Sequence, residues 1–228
     1  MPRSQMFGTV RYRGETGLQR CMALTFDDGP HPAITPVILD CLGEHNMKAT
    51  FFVVGRHAAE HSQLIERMHC EGHLVANHSY EHAHLGTMRG TEYWRREISQ
   101  TDAVIQEIIS CKPALFRPPM GFKTHHLMQA ARELGHTVVT WTRRAYDGVG
   151  TTSENIIRRL SVVDAGDIIL LHDGAVAPFR INHGVTERAL RQLLPAWRAE
   201  QISVRPLDQL LGVRAYASET SQPVLASS

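Results

Sequence analysis

The sequence predicts an α/β fold, a distorted (β/α) barrel of about seven parallel strands, on three observations. Short runs rich in β-branched and aromatic residues alternate with amphipathic helical patterns from residue 21 to about 211. No internal repeat and no long linker interrupts the 228 residues, a length that suits one domain with a sizeable core. Polar residues stand just after separate apolar runs: Asp27 and Asp28, His78, Arg117, Asp147 and His172. Functional groups of parallel α/β folds gather at the carboxyl ends of strands. An open doubly wound sheet is the competing topology.

Each element has its own signal. Residues 21–26 form the first strand, closed by Gly29-Pro30, because Pro cannot donate to a ladder and Gly permits a sharp turn. A helix spans about 34–45, where Ile34, Val37, Ile38, Leu39 and Leu42 recur at helical spacing. The run ATFFVV at 49–54 is a second strand. A helix at 58–70 carries Leu64, Ile65 and Met68 on one face, and 74–77 is a short third strand. The longest helix covers 91–110, with Glu92 at the positive end of its dipole. A fourth strand at 115–117 is halted by Pro118-Pro119. A helix at 125–134 ends before Gly135, and HTVVTW at 136–141 is the fifth strand. Then come a helix at 154–163, a sixth strand at 167–171, a helix at 185–200, a seventh strand at 202–205 and a short helix at 206–211.

Composition narrows the function classes. Hydrophobic residues at 43% and charged residues at 21% describe an ordinary globular chain. A formal net charge of +1 implies no polyanion, and so no nucleic acid, as partner. No 18-residue apolar run predicts a membrane span. The opening MPRSQMFGTVRYRG lacks the apolar stretch of a secretory leader, so the expectation is cytoplasmic, or cell-envelope or secreted if a leader has been removed. Cys21, Cys41, Cys70 and Cys111 form no CxxC pair and read as buried free thiols.

The adjacent carboxylates at 27 and 28 pose a geometric question. Neighbouring strand side chains point to opposite faces, so both serve one site only if the chain is already turning there. Each then approaches differently, which points to two jobs, such as one metal ligand and one base. His78 and His82 stand four apart in HSYEH, a spacing that on a helical turn puts both imidazoles on one face. With Asp28 they make a set of two histidines and a carboxylate. Such a set leaves open positions for water on zinc, or for oxygen chemistry on ferrous iron.

These motifs resemble the polysaccharide deacetylases with a NodB homology domain, carbohydrate esterase family four. TFDDGP at 25–30 is similar to the first family motif, HSYEH at 78–82 to the second and RPPMG at 117–121 to the third. Trp141 with Asp147 is similar to the fourth, and LLHD at 170–173 to the fifth, all in family order. The resemblance implies a NodB-like deacetylase domain at 21–212, an N-terminal extension at 1–20 and a flexible C-terminal tail at 213–228. It implies a hydrolase that removes an N-acyl, typically acetyl, group from an amino sugar or glycan. It places a divalent metal on Asp28, His78 and His82: zinc, with cobalt or nickel as substitutes. Asp27 is then the general base and His172 the general acid. Arg117 orients Asp27 and favours its charged form, while Asp147 fixes the tautomer of His172 and helps it stay protonated. Met120 and Pro119 mark where a backbone N–H holds the oxyanion. The implied partner is an N-acylated carbohydrate, with no oligomeric state implied.

The chain departs from the family pattern at two aromatic positions, which Met120 and Gly148 fill. Arg143 and Arg144 stand after the fifth strand, where they could hold a carboxylate or phosphate. Together these departures raise an alternative substrate: a small, anionic or lipid-linked acylamino sugar, deacylated or deformylated. Two rival readings are a ferrous oxygenase on the same ligands and a non-catalytic, metal-stabilised glycan-binding protein. The presence of Asp27, Arg117 and His172 weighs against both. Of the other histidines, His31, His57, His61, His69, His73, His125 and His126 read as surface or core residues, and His84 as a candidate for the cleft wall.

Overall fold

The computed structural model describes residues 4–15, 20–83, 86, 88–174 and 184–218. Its strands are β1 (Cys21–Asp27), β2 (Thr50–Val53), β3 (Leu74–Asn77), β4 (Leu115–Phe116), β5 (Thr137–Val138), β6 (Arg143–Arg144), β7 (Ile168–His172) and β8 (Ser203–Val204). Seven follow one path, β5-β4-β3-β2-β1-β7-β6, and every pairing is parallel. β8 joins the start of β1 through Cys21 and Met22. β5 and β6 succeed each other in sequence yet form the two edges, so the sheet is a curled half-barrel rather than a closed one. The helices are α1 (Thr35–Glu44), α2 (Gly55–Glu60), α3 (Ser62–Cys70), α4 (Thr91–Ile109), α5 (His125–Glu133), α6 (Ser153–Leu160), α7 (Val185–Ala199) and α8 (Leu207–Leu211).

Strand alternation sorts the core into two faces. On β1, Met22, Leu24 and Phe26 pack outward, in one cluster with Ile38 and Leu42 of α1 and Leu190 and Leu194 of α7. Ala23 instead belongs to an inner cluster with Phe52, Leu115, Trp141, Ile168 and Leu170. Thr25 and Asp27 continue that inner row, so alternation alone sends Asp27 into the barrel. Leu207, Leu210 and Leu211 of α8 join the inner cluster. They lie by the amino ends of β1 and β2, where the Leu207 N–H donates to Thr50 Oγ1 (3.1 Å). Apolar packing thus fills one end of the barrel and leaves the carboxyl ends of the strands for polar residues.

Several elements differ from their sequence expectation, each for a packing reason. The helix expected at 58–70 starts at Gly55 and breaks at His61 (φ −133°, ψ 48°). The break lets α2 bury Gly55 and Ala58 while α3 re-aims Ile65 and Met68. The fifth strand shrinks to Thr137–Val138; beyond it Val139 bridges to Arg11 of the N-terminal segment, and Val139 and Trp141 both pack into the inner cluster. β6 was not anticipated at all; its two arginines hide it from a hydrophobicity reading. Cys41 is buried, but Cys70 is exposed, and all four cysteines are free thiols.

Both ends of the chain do structural work. Arg11 pairs with Val139 in parallel, while the Gly14 N–H donates to Gly166 O (2.8 Å) and the Arg13 guanidinium reaches Asp167 (2.7 Å). The N-terminal segment therefore runs from the β5 edge to the loop before β7, across the side where the barrel is open. In the tail, Tyr216 bridges to Pro113 and accepts the Val75 N–H on its hydroxyl (3.2 Å). Residues 213–218 are thus docked on the domain, contrary to a tail that is loose from its start. Among the described residues, no helix is long and apolar enough to cross a membrane.

Candidate active site

The site begins where β1 ends. Asp27 is buried, with Oδ1 accepting from Arg117 Nη1 at 2.6 Å and Oδ2 3.6 Å from His78 Nε2. Asp28 takes a left-handed backbone, φ +73°. The chain therefore turns between the two carboxylates, and they enter the site from different directions. Gly29 has to follow: a Cβ there would sit 2.2 Å from Asp173 Oδ2. The Asp173 N–H donates to Asp27 O (3.2 Å), which ties the end of β7 to the end of β1.

His78 and His82 come from the loop after β3, but not from a helical turn. Ser79 and His82 are left-handed (φ +69° and +50°), and it is this kinked loop that brings the rings together, centroids 4.9 Å apart. Buried polar groups hold the loop in shape. Asn77 accepts the Ser79 N–H (2.8 Å) and donates to Asp102 (2.7 Å), Glu97 accepts from the N–H groups of Tyr80 and Glu81, and Ser79 Oγ accepts from His82 N–H. His78 Nδ1 lies 2.8 Å from the Arg117 carbonyl, which can only accept. Its Nδ1–H therefore donates, and Nε2 is left as the free lone pair.

Asp28 Oδ1 lies 3.4 Å from His78 Nε2 and 3.3 Å from His82 Nε2, and ligand atoms of the three residues all fall within 4.8 Å of one another. That oxygen is shielded from solvent yet makes no hydrogen bond among the described residues. A buried acceptor with no donor, facing an imidazole lone pair, fits a cation between them better than direct contact. Burial by itself would raise the Asp28 carboxyl. The neighbouring imidazoles of His78, His82 and His172 outweigh it and hold the group below the ordinary carboxylate range.

Arg117 and His172 complete the arrangement. Arg117 is fully buried, with Nη1 also donating to Thr25 Oγ1 (2.8 Å) and its guanidinium stacked 4.0 Å over Phe52. His172, half-buried, holds Asp147 Oδ1 through Nδ1 at 2.8 Å; its own N–H and Thr186 Oγ1 donate to Asp147 Oδ2. Burial pulls the imidazole down, but the Asp147 charge and hydrogen bond, with Asp28 and Asp27 nearby, push it up to about 9. His172 is therefore a cation at neutral pH.

The remaining sequence candidates divide. Met120, left-handed at φ +54°, lies in the turn Pro119–Gly121 just beyond β4 and is exposed. Gly148 faces His172: a Cβ there would be 3.3 Å from the ring. Arg143 is no part of the site. Its guanidinium is held by Asp167 (2.5 Å) and Asp164 (2.8 Å), at the start of β7 rather than its end. Arg144 points the other way and lies 3.9 Å from the exposed Tyr146 ring. His84 falls outside the described residues.

Two residues were missed. His57 Nδ1–H donates to the Asp28 carbonyl (2.9 Å) and Arg56 donates to its Nε2 (3.3 Å), so a helix histidine steadies the strained turn. No sequence spacing signals that contact. Asp173 was visible within LLHD but given no role. It is buried, accepts from Thr35 Oγ1 (2.7 Å), and is pushed up to about 7 by burial and then by the charges of Asp28 and Asp27.

Known proteins share this arrangement of elements. A family model described as polysaccharide deacetylase matches residues 14–139. A chitooligosaccharide deacetylase of Bradyrhizobium sp. (strain ANU 289) is 32% identical over 212 residues, covering 90% of this chain and 97% of the relative. Among solved structures, the Bc1960 peptidoglycan N-acetylglucosamine deacetylase, in complex with 4-naphthalen-1-yl-N-oxidanyl-benzamide, matches with a TM-score of 0.84 at 27% identity. The match covers 91% of this chain and 95% of that one. A family 4 carbohydrate esterase from Streptomyces lividans, in complex with acetate, is 30% identical with a TM-score of 0.72, over 80% of this chain and 90% of that one. The half-barrel, the motifs in order and these matches agree: the chain belongs to the polysaccharide deacetylase family.

Proposed function

We propose that this chain hydrolyses the N-acetyl amide of N-acetylglucosamine units in a glycan, with zinc held by Asp28, His78 and His82. The observation that carries the reading is the placement of two proton-handling groups around one three-ligand set. Asp27 has an oxygen 3.6 Å from His78 Nε2, and His172 is paired to Asp147. A divalent cation bound there supplies Lewis acidity and makes a water acidic near neutral pH.

Asp27 is the base. Arg117 occupies Oδ1, so Oδ2 is the oxygen that takes the proton from the attacking water. His172 is the acid, and its Nε2–H protonates the departing amine nitrogen. Asp147 retains the Nδ1–H throughout, which keeps the correct tautomer after the proton has left. Positioned acid–base groups of this kind contribute about 100- to 10,000-fold each. The peptide N–H of Met120 is the proposed oxyanion donor, a role worth about 100- to 1000-fold. Pro119 has no N–H to offer and serves to hold the turn.

The missing family aromatics do not leave the mouth bare. Phe122 and Tyr146, 52% and 43% exposed, stand on the loops after β4 and β6 and offer ring surface to a sugar. They support a glycan over the small anionic alternative, which now rests on Arg144 alone. The test is acetate and free-amine release by the zinc-loaded protein from N-acetylglucosamine oligomers, with N-formyl and uronic analogues alongside. Equimolar acetate and amine are expected. Release of neither from any N-acylated sugar would rule the reading out.

A further inference from the structure

We propose that the cleft between the N-terminal segment and α5 is a second binding site, for a small organic anion: a carboxylate or phosphate carried on an apolar body. The cleft encloses about 350 Å³ beside β5, the edge strand on the far side of the sheet from β6 and β7. That volume sits at the small end of the roughly 300–1,000 Å³ typical of ligand pockets.

Its charge is one-sided. Arg11, Arg132, His125 and His136 line it, and no lining residue is acidic. Eight arginines meet a carboxylate among the described residues: Arg13, Arg20, Arg56, Arg67, Arg95, Arg117, Arg143 and Arg191. Arg11 and Arg132 have no ion pair among the described residues, although they face the same cavity. Of the nearby carboxylates, Glu133 is engaged with Arg95 (2.7 Å), and Asp102 lies behind the wall, against His136 (2.9 Å), so the charge that faces the cavity comes from Arg11 and Arg132.

His136 backs the cleft wall, its side chain wholly shielded, so it shapes the cavity without itself meeting a ligand. Its ring is buried, Nε2 is held by Asp102, and Nδ1 has no hydrogen-bond partner among the described residues. His125, Met128 and Arg132 lie on one α5 face at the (i, i+3, i+7) spacing, with Phe7 across from them. Phe7 and Met128 give an apolar wall next to two guanidiniums, each able to take an anion through two parallel hydrogen bonds. The substrate chemistry proposed above uses none of these residues.

Two methionines allow the site to be read separately from the catalytic end. The Met128 methyl lines the cleft, whereas Met120 lies beside Pro119 beyond β4. The zinc-loaded chain, labelled at its methionine methyls, is titrated with phenyl phosphate, benzoate, inorganic phosphate and neutral phenol while NMR follows both resonances. Phenyl phosphate, benzoate or both should shift Met128 saturably, with phenol inert; whichever binds tighter identifies the preferred head group. Inorganic phosphate alone should bind more weakly. In Arg11→Gln/Arg132→Gln, both positions being exposed, half-saturation at Met128 should rise about tenfold or more, with any Met120 response and turnover unchanged. An unmoved Met128, equal shifts with phenol, inorganic phosphate as tight as phenyl phosphate, or a double variant that saturates as before would each overturn the proposal.

Discussion

The proposed ligand half and the proposed proton half of this site differ in how far the chain itself satisfies their buried groups. Asp28, Ser79 and His82 are all left-handed, conformations that cost about 1–3 kcal/mol each when a side chain is present. The set they create leaves Asp28 Oδ1 buried with no hydrogen bond among the described residues. In the proton half His172 sits on a regular strand end, while Asp147 opens the short turn Asp147–Val149, entered through a left-handed Tyr146 (φ +64°). Asp147 accepts from His172 Nδ1, the His172 N–H and Thr186, and it is buried and satisfied. On the proposed reading a cation completes one half, whereas the other is satisfied by the chain itself. Metal and acid should then be separable by mutation and by pH.

The largest effect should come from the ligand half. His78→Ala, or removal of metal by a chelator, should cost turnover on the order of 10⁴-fold or more, since it removes the group around which the others are arranged. Zinc should stabilise the wild type by mass action, by about 2.7 kcal/mol at one hundred times its dissociation constant, and so raise its melting temperature. It should do nothing for His78→Ala. A His78→Ala protein that is stabilised by zinc and active would erase the distinction between the two halves.

Asp27→Asn tests the boundary between them. Turnover should fall about 10³-fold while the zinc-induced rise in melting temperature persists, because the base is lost and the ligands are not. Arg117 is fully buried and would lose its charged partner, so stability should fall by up to about 3–5 kcal/mol. Comparing thermal melts with kinetics at a temperature where both proteins are folded separates the two losses.

The proton half should answer to pH. His172 stands at about 9 against an ordinary 6.5, so the folded state favours its protonated form. The stability this contributes is full below about 6.5 and is lost as pH rises through about 9. Amide turnover should have its alkaline limb at or below that value, since a bound dication offsets the share due to Asp28. Asp147→Asn should move the limb to lower pH and cut amide turnover about 10- to 100-fold, with zinc-induced stabilisation retained. His172→Ala should lose more on amides than on activated aryl esters, whose leaving groups need no proton. Equal losses on both substrates would remove His172 from the acid role.

The smallest catalytic effect belongs to Arg143→Ala. With its guanidinium engaged by Asp164 and Asp167 away from the mouth, kcat/KM should stay within about twofold on neutral and anionic substrates alike. Stability should drop by about 1–2 kcal/mol, because Arg13 still holds Asp167. A selective loss on anionic sugars would return Arg143 to the substrate groove.

The sequence by itself determined the alternation of strands and helices, the inward row of Ala23, Thr25 and Asp27, and the motif residues at the strand ends. Those features follow from local rules: periodicity, turn chemistry and the strand pleat act over a few residues and leave a pattern that can be read in order. Tertiary structure decided what depends on contacts far apart in sequence. The spacing of His78 and His82 read as a helical turn, yet a kinked loop, held by Asn77, Glu97 and Asp102, brings the rings together. Arg143 looked like part of the mouth, but partners more than twenty residues later draw it to the opposite end of β7. The N-terminal segment read as an appendage, whereas the gap between β5 and β6 gave it two edges to bridge. His57 carried no motif at all, because the acceptor it serves is a backbone carbonyl, and a backbone carbonyl has no letter in the sequence.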